Sequence, residues 1–150
     1  MTQRKAFRNW ARTEARRPEQ VHRPRDAEHA AALLEALRER GDTARILGAA
    51  QSPGDIALHD GALLPADALR QPPVIDAERR QVRAGAGSML AELSRALAAR
   101  RLALCNLGSI SRQQLGGGLA TGTHGTGLRH GILATAARAV QLATSAGEVL

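Results

Sequence analysis

The sequence predicts an α+β fold, and three observations predict it. Two windows carry apolar residues at helical spacing, short β-like runs stand on either side of each, and a glycine-rich stretch separates them from a final pair of strands. In chain order, Gln20-Val-His-Arg-Pro24 reads as a short extended segment ended by proline. Asp26 then reads as an N-cap, with Ala27, Ala30, Ala31, Leu34 and Leu37 forming one helical face and Gly41 closing the helix. Ala44-Arg-Ile-Leu47 is β-like and runs into a loop of small residues, Gly48-Ala-Ala-Gln-Ser-Pro-Gly54. Asp60-Gly61 turns the chain into a second short strand, Ala62-Leu-Leu64. Val74 and Ile75, the turn Asp76-Ala-Glu-Arg79 and the alternating Gln81-Val-Arg-Ala84 read as a β-hairpin. Gly85 and Gly87 break it, and Ser88 is expected to cap a second helix with Met89, Leu90, Leu93, Ala96 and Leu97 on one face. Val140 to Leu142, a turn at Gly147 and Glu148-Val-Leu150 form the last hairpin. No internal repeat is visible. A chain ending on an unpaired apolar strand reads as one that stops inside a larger fold.

Composition narrows the function classes. At 150 residues the chain suits one domain able to bury roughly 68–70% of its unfolded surface. An apolar fraction of 43% is too high for a disordered chain. Of the 21 cations, 20 are Arg; there are 30 Ala, and the aromatics are Phe7 and Trp10 alone. A lone Cys105 excludes an intrachain disulfide framework and a cysteine zinc site, and it is expected to be a small core residue. His22, His29, His59 and His130 show no metal-ligand spacing, so no metal site is expected. No stretch is long and apolar enough to span a membrane, and no apolar run follows the basic start as in a secretory signal, so the expected location is cytoplasmic.

Charge is uneven. Residues 1–25 hold eight cations against Glu14 and Glu19, and the rest of the chain is nearly balanced. Residues 1–19 are therefore read as a basic lead-in and residues 20–150 as the domain proper, with Trp10 expected to anchor the lead-in by packing. The lead-in reads as a solvated Arg-rich segment, as a basic arm for nucleic acid, an anionic membrane surface or another acidic partner, or as a mitochondrial presequence, against which Glu14 and Glu19 count. Nucleic acid is not expected, because zinc-finger spacing, a recognition-helix pattern and interleaved aromatics are all missing.

Two segments carry chemistry. Leu115-Gly-Gly-Gly-Leu-Ala-Thr-Gly-Thr-His-Gly-Thr-Gly127 places Leu115 and Leu119 at helical spacing, unlike a flexible linker. Its backbone N–H groups and the Thr121, Thr123 and Thr126 hydroxyls suit phosphate oxygens, although a structural turn fits equally well. The second segment, Ile46-Leu-Gly-Ala-Ala-Gln-Ser52, follows a strand like a phosphate loop but matches neither G-x-x-x-x-G-K-[ST] nor G-x-G-x-x-G, which excludes ATPase and Rossmann readings. Two such loops suggest an extended dinucleotide held at two points. His124 is expected to be structural or cofactor-contacting.

Several stretches in order then resemble one family: Phe7-Arg-Asn-Trp-Ala11, Gln51-Ser-Pro-Gly-Asp-Ile-Ala57 with Asp60-Gly61, Asn106-Leu-Gly-Ser109, Thr121-Gly-Thr-His-Gly-Thr-Gly127, His130-Gly-Ile-Leu-Ala-Thr135 and Gly147-Glu-Val-Leu150. The set resembles the FAD-binding N-terminal half of the sugar-lactone oxidases (L-gulonolactone and D-arabinonolactone oxidases), which are vanillyl-alcohol-oxidase-like flavoproteins. The resemblance implies two α/β subdomains with FAD stretched between them, truncated before the domain ends and without the C-terminal substrate domain. It implies that Ile46, Leu47, Gly48, Ala49, Ala50, Gln51 and Ser52 wrap the pyrophosphate. Ser109, Gln114, Gly117, Thr121, Gly122, Thr123, His124 and Gly125 would line the flavin and the rest of the dinucleotide. The implied chemistry is hydride transfer from a CH–OH carbon of a sugar lactone or polyol to the flavin, then to oxygen or another acceptor. No catalytic residue is assigned within this chain, and the substrate would need the missing half. In many of these oxidases the loop reads Gly-Ser-Gly-His-Ser, with its histidine covalently joined to the flavin. Gln51 stands there instead, so non-covalent FAD is expected. Ala50 replaces a glycine, and costs about 1 kcal/mol if the position needs a positive φ. The alternative expectation is a non-catalytic FAD-binding remnant or a small basic binding protein.

Overall fold

The computed structural model describes residues 4–150. Contacts divide the chain into two compact units, Met1–Ala68 with Gln141–Leu150, and Leu69–Val140. Both mix helices with strands, as the expected α+β class requires.

In the first unit, β1 (Phe7–Arg8) pairs antiparallel with β2 (Ala15–Arg16), Phe7 opposite Arg16. Next come β3 (Gln20–Val21), α1 (Ala27–Glu39), β4 (Ala44–Leu47) and β5 (Ala62–Pro65). The last three strands form a parallel sheet in the order β3-β5-β4. As the central strand, β5 is buried on both faces, which explains its unbroken apolar run. Ala62 and Leu64 pack with Leu37, Leu33 and Leu34 of α1, whereas Leu63, pointing the other way, packs with Leu47 and Leu58. The α1 ends are those the sequence predicts. The Asp26 side chain accepts from the His29 N–H at 2.7 Å. Gly41, at φ +73, gives its N–H to the Arg38 carbonyl, and Asp42 gives its N–H to the Leu37 carbonyl, a Schellman closure. The Gln20 side chain and then the Arg40 guanidinium bond the Asp42 carboxylate and hold it below its ordinary pKa. At the far end of the chain, Leu142 and Leu150 exchange two backbone hydrogen bonds and Gly147 turns at φ +82.

In the second unit, β6 (Val74–Asp76) and β7 (Gln81–Arg83) form the expected hairpin. Helix α2 (Leu90–Ala98) buries Leu90, Leu93 and Leu97. Its N-terminus differs from expectation: the N-cap is Met89, with no side-chain cap. The Leu90 and Ala91 N–H groups donate instead to the Gln113 and Ser111 carbonyls, at 2.9 and 3.0 Å. Those backbone acceptors make a serine cap redundant, and Ser88 Oγ is buried without a partner among the described residues. Helix α3 (Leu115–Ala120) realises the Leu115/Leu119 spacing. Its Gly118 lies against Leu133 and Leu90, where an added methyl would come within 3.2 Å of Leu133 Cδ2.

Candidate functional site: a loop of free backbone donors

Strand β4, at the edge of the parallel sheet, ends with Leu47 sealed into the core and Ile46 exposed on the other face. The chain leaves the carboxyl end of this strand as Gly48-Ala-Ala-Gln-Ser52, the side of a parallel sheet where ligands bind. Among the described residues, no backbone N–H from 48 to 52 donates to an acceptor in the chain. Residues 46–52 also contain no acidic side chain. Consecutive unspent N–H groups in a turn make a concavity suited to an anion.

Ala50 has φ +52, so the position does require the left-handed region. The cost to a residue with a Cβ is roughly 1–2 kcal/mol. Two contacts offset it. The Ala50 methyl packs against the Leu47–Leu58–Leu63 cluster, and its carbonyl accepts from the Trp10 N–H at 2.9 Å, a bond whose net contribution is about 1 kcal/mol. Gln51 is half-buried, and its Nε2 donates to the Ala49 carbonyl at 3.4 Å. Ser52 is half-buried as well.

Asn9 is the residue that sequence reasoning missed. Its side chain is buried (2% exposed), and its Nδ2 donates to the Pro53 carbonyl at 2.6 Å and to Thr13 Oγ1 at 2.9 Å. Its Oδ1 accepts from the Glu14 N–H at 3.2 Å, and Thr13 Oγ1 adds a second donation to the Pro53 carbonyl, also 3.2 Å. An uncharged amide inside a run of arginines was the available signal. Trp10 corrects the packing expectation. The residue is 58% exposed, and its backbone N–H donates to the Ala50 carbonyl.

The second unit holds the other expected contacts. Gly117 is exposed, and a Cβ built there would meet nothing within 4 Å, which leaves its backbone open to a ligand. Gln114 is buried (8% exposed) with Oε1 unpartnered among the described residues, and Gln113 Oε1 is in the same state. A buried amide oxygen left alone costs about 1–3 kcal/mol, so it points to a donor from outside the chain. Two of the threonine hydroxyls have partners within the second unit. Thr121 Oγ1 donates its proton to the Gly117 carbonyl at 2.8 Å, and Thr123 Oγ1 accepts from Gln113 Nε2 at 3.2 Å. Gly122 turns at φ +65. His124 Nδ1 lies 2.9 Å from the Gly125 carbonyl, and a methyl on Gly125 would collide with the Asn106 side chain. Ser109 is exposed, and so is Cys105, which is therefore not the core residue expected.

The first unit's parallel-sheet loop of free donors fits a nucleotide-type anion, and the second unit, taken by itself, carries a small-residue segment with orphaned acceptors. The chain belongs to the family described as "FAD binding domain", which matches residues 18–150. It is 40% identical over 144 residues to the L-gulonolactone oxidase of Scyliorhinus torazame, covering 96% of this chain and 33% of that protein. It is 34% identical over 148 residues to the D-arabinono-1,4-lactone oxidase of Eremothecium gossypii, covering 96% and 28%. Among solved structures, 6-hydroxy-D-nicotine oxidase from Arthrobacter nicotinovorans shares the fold with a TM-score of 0.78 at 20% identity, covering 89% of this chain and 30% of that one. The chain thus spans about a third of the length of the curated relatives it matches. It is an FAD-binding domain related to those of the sugar-lactone oxidases, with the vanillyl-alcohol-oxidase-type fold.

The residues fit such a cofactor. A pyrophosphate needs donors and no nearby carboxylate, as residues 48–52 provide, and flavin N–H groups need acceptors such as the unpartnered Gln114 Oε1.

Proposed function

We propose that this chain holds FAD without a covalent tether, and that it serves a flavin-dependent oxidoreductase acting on a CH–OH group of a sugar lactone or polyol. The observation that carries the reading is the run of free N–H groups at 48–52 around the left-handed Ala50. When bound, FAD would supply the redox chemistry, as acceptor of a hydride from the substrate's CH–OH carbon and donor of two electrons to oxygen or another acceptor. The protein's part is binding and orientation. The amides of Gly48 to Ser52 hold the diphosphate, Gly117 lets backbone come close to the cofactor, and Gln114 Oε1 accepts from it. Substrate binding and proton removal are assigned to the region by which the relatives exceed the matched third, and no residue here is named as a base. The names of the lactone oxidases support the substrate class. A cytoplasmic location is part of the proposal; among the described residues no helix is long and apolar enough to cross a membrane.

The absence of a tether follows from Gln51, whose carboxamide lacks the nucleophilic nitrogen of an imidazole. The test is FAD titration of the purified 150-residue chain, followed by acid precipitation. A flavin spectrum that co-elutes with protein and passes to the acid supernatant is expected. A chain that takes up no FAD overturns the binding reading, and flavin held in the pellet overturns the non-covalent one.

A further inference from the structure

We infer that the β1–β2 hairpin is a positioning clamp for the donor loop, with Asn9 as its central residue; the inference rests on the proposed role of residues 48–52 in holding the cofactor's diphosphate. The hairpin grips the loop by two carbonyl oxygens three residues apart. The Trp10 N–H donates to the carbonyl of Ala50 at 2.9 Å, and Asn9 Nδ2 and Thr13 Oγ1 donate to that of Pro53 at 2.6 and 3.2 Å. No peptide bond in the described chain is cis, so each N–H points away from the carbonyl of the residue before it. Fixing the Ala50 carbonyl toward the hairpin therefore aims the Gln51 N–H in the opposite direction, and that N–H has no acceptor among the described residues. The hairpin thus engages carbonyls that would repel an anion and leaves the donors between them free. Asn9 holds the hairpin in the shape that does this, since its Oδ1 takes the Glu14 N–H at 3.2 Å and its backbone N–H bonds the Glu14 carbonyl, also at 3.2 Å. Asn9 touches no cofactor atom in this account; it acts through the Ala50–Gln51 peptide.

The experiment compares the full chain with Asn9→Ala and Asn9→Asp. The aspartate keeps size and the acceptor but removes the donor to Pro53. Two readouts are taken by NMR without any ligand: hydrogen exchange at the Trp10 amide and the Ala50 coupling constant that reports φ. A third is the dissociation constant for FAD and, in parallel, for riboflavin, which has no phosphate. Faster Trp10 exchange, departure of Ala50 from positive φ and FAD binding weakened by about ten-fold, with riboflavin affinity unchanged, is the expected result. Wild-type-like Trp10 exchange and Ala50 coupling in either folded variant overturn the clamp, and so does equal weakening of FAD and riboflavin. If the alanine variant does not fold, the aspartate variant decides. Failure of the wild-type chain to bind FAD sinks the cofactor reading instead, while the two ligand-free readouts still judge whether Asn9 sets the peptide.

Discussion

Ala50 shows how a single unfavourable residue is tolerated at a loop that does chemistry. Its left-handed backbone is strained for any side chain, yet Ala50 packs against the cluster of Leu47, Leu58 and Leu63, packing that a glycine would lessen. Alanine is therefore close to neutral here, whereas a branched side chain is not, because the second Cβ substituent meets the following carbonyl at positive φ. Ala50→Val is expected to lower unfolding free energy by about 1–3 kcal/mol in a urea titration, with FAD affinity falling alongside. Unchanged stability in that variant would mean that the residue does not hold φ +52 in solution. The sequence identified the position and the condition, since the resemblance implies a glycine where Ala50 stands and so raises the question of φ. It did not supply the compensation, which comes from Trp10, far away in the chain, and from the core beneath.

At the scale of elements, α1 and α2 contrast. The ends of α1 were legible because its caps are local: Asp26 and Gly41 act within a few residues of the helix they bound. The start of α2 was not, because its first N–H groups are met by the carbonyls of Ser111 and Gln113, from a segment some twenty residues further along. Ser88 has every local attribute of a cap and performs none of the duty. Replacing a true serine cap by alanine costs about 0.5–2 kcal/mol. Ser88→Ala is expected to be neutral or slightly stabilising instead, because it deletes a buried hydroxyl with no partner. Thermal unfolding reads the difference, and a fall in Tm of several degrees would restore the capping role. The hydroxyls of Thr121 and Thr123 are engaged closer to home, with the Gly117 carbonyl four residues back and the Gln113 amide ten residues back.

For the whole molecule, the succession of helices and strands was legible and the pairing order was not. Short apolar runs announce Ala44–Leu47 and Ala62–Pro65 as strands, but nothing in them says that β5 inserts between β3 and β4. That insertion places Leu63 at 0% exposure against the residues that support the donor loop. Leu63→Ala is expected to cost about 2–5 kcal/mol and to loosen the loop with it, measured as lost stability together with faster amide exchange at Trp10, whose N–H donates to the Ala50 carbonyl. A variant that is destabilised with unaltered exchange there would separate the core from the loop. The charge pattern also read differently in one dimension. Arg16 lies within ion-pair reach of Glu14, Asp55 and Asp60, so part of the arginine excess at the start of the chain is tied into the first unit.

A practical consequence concerns where to cut the gene. The family match begins at Pro18, and a chain trimmed to that boundary would keep every letter of the donor loop. It would also discard the three hydrogen bonds by which Asn9, Trp10 and Thr13 hold that loop's carbonyls. The boundary drawn by kinship and the boundary drawn by mechanics fall at different places, and expression work should honour the second.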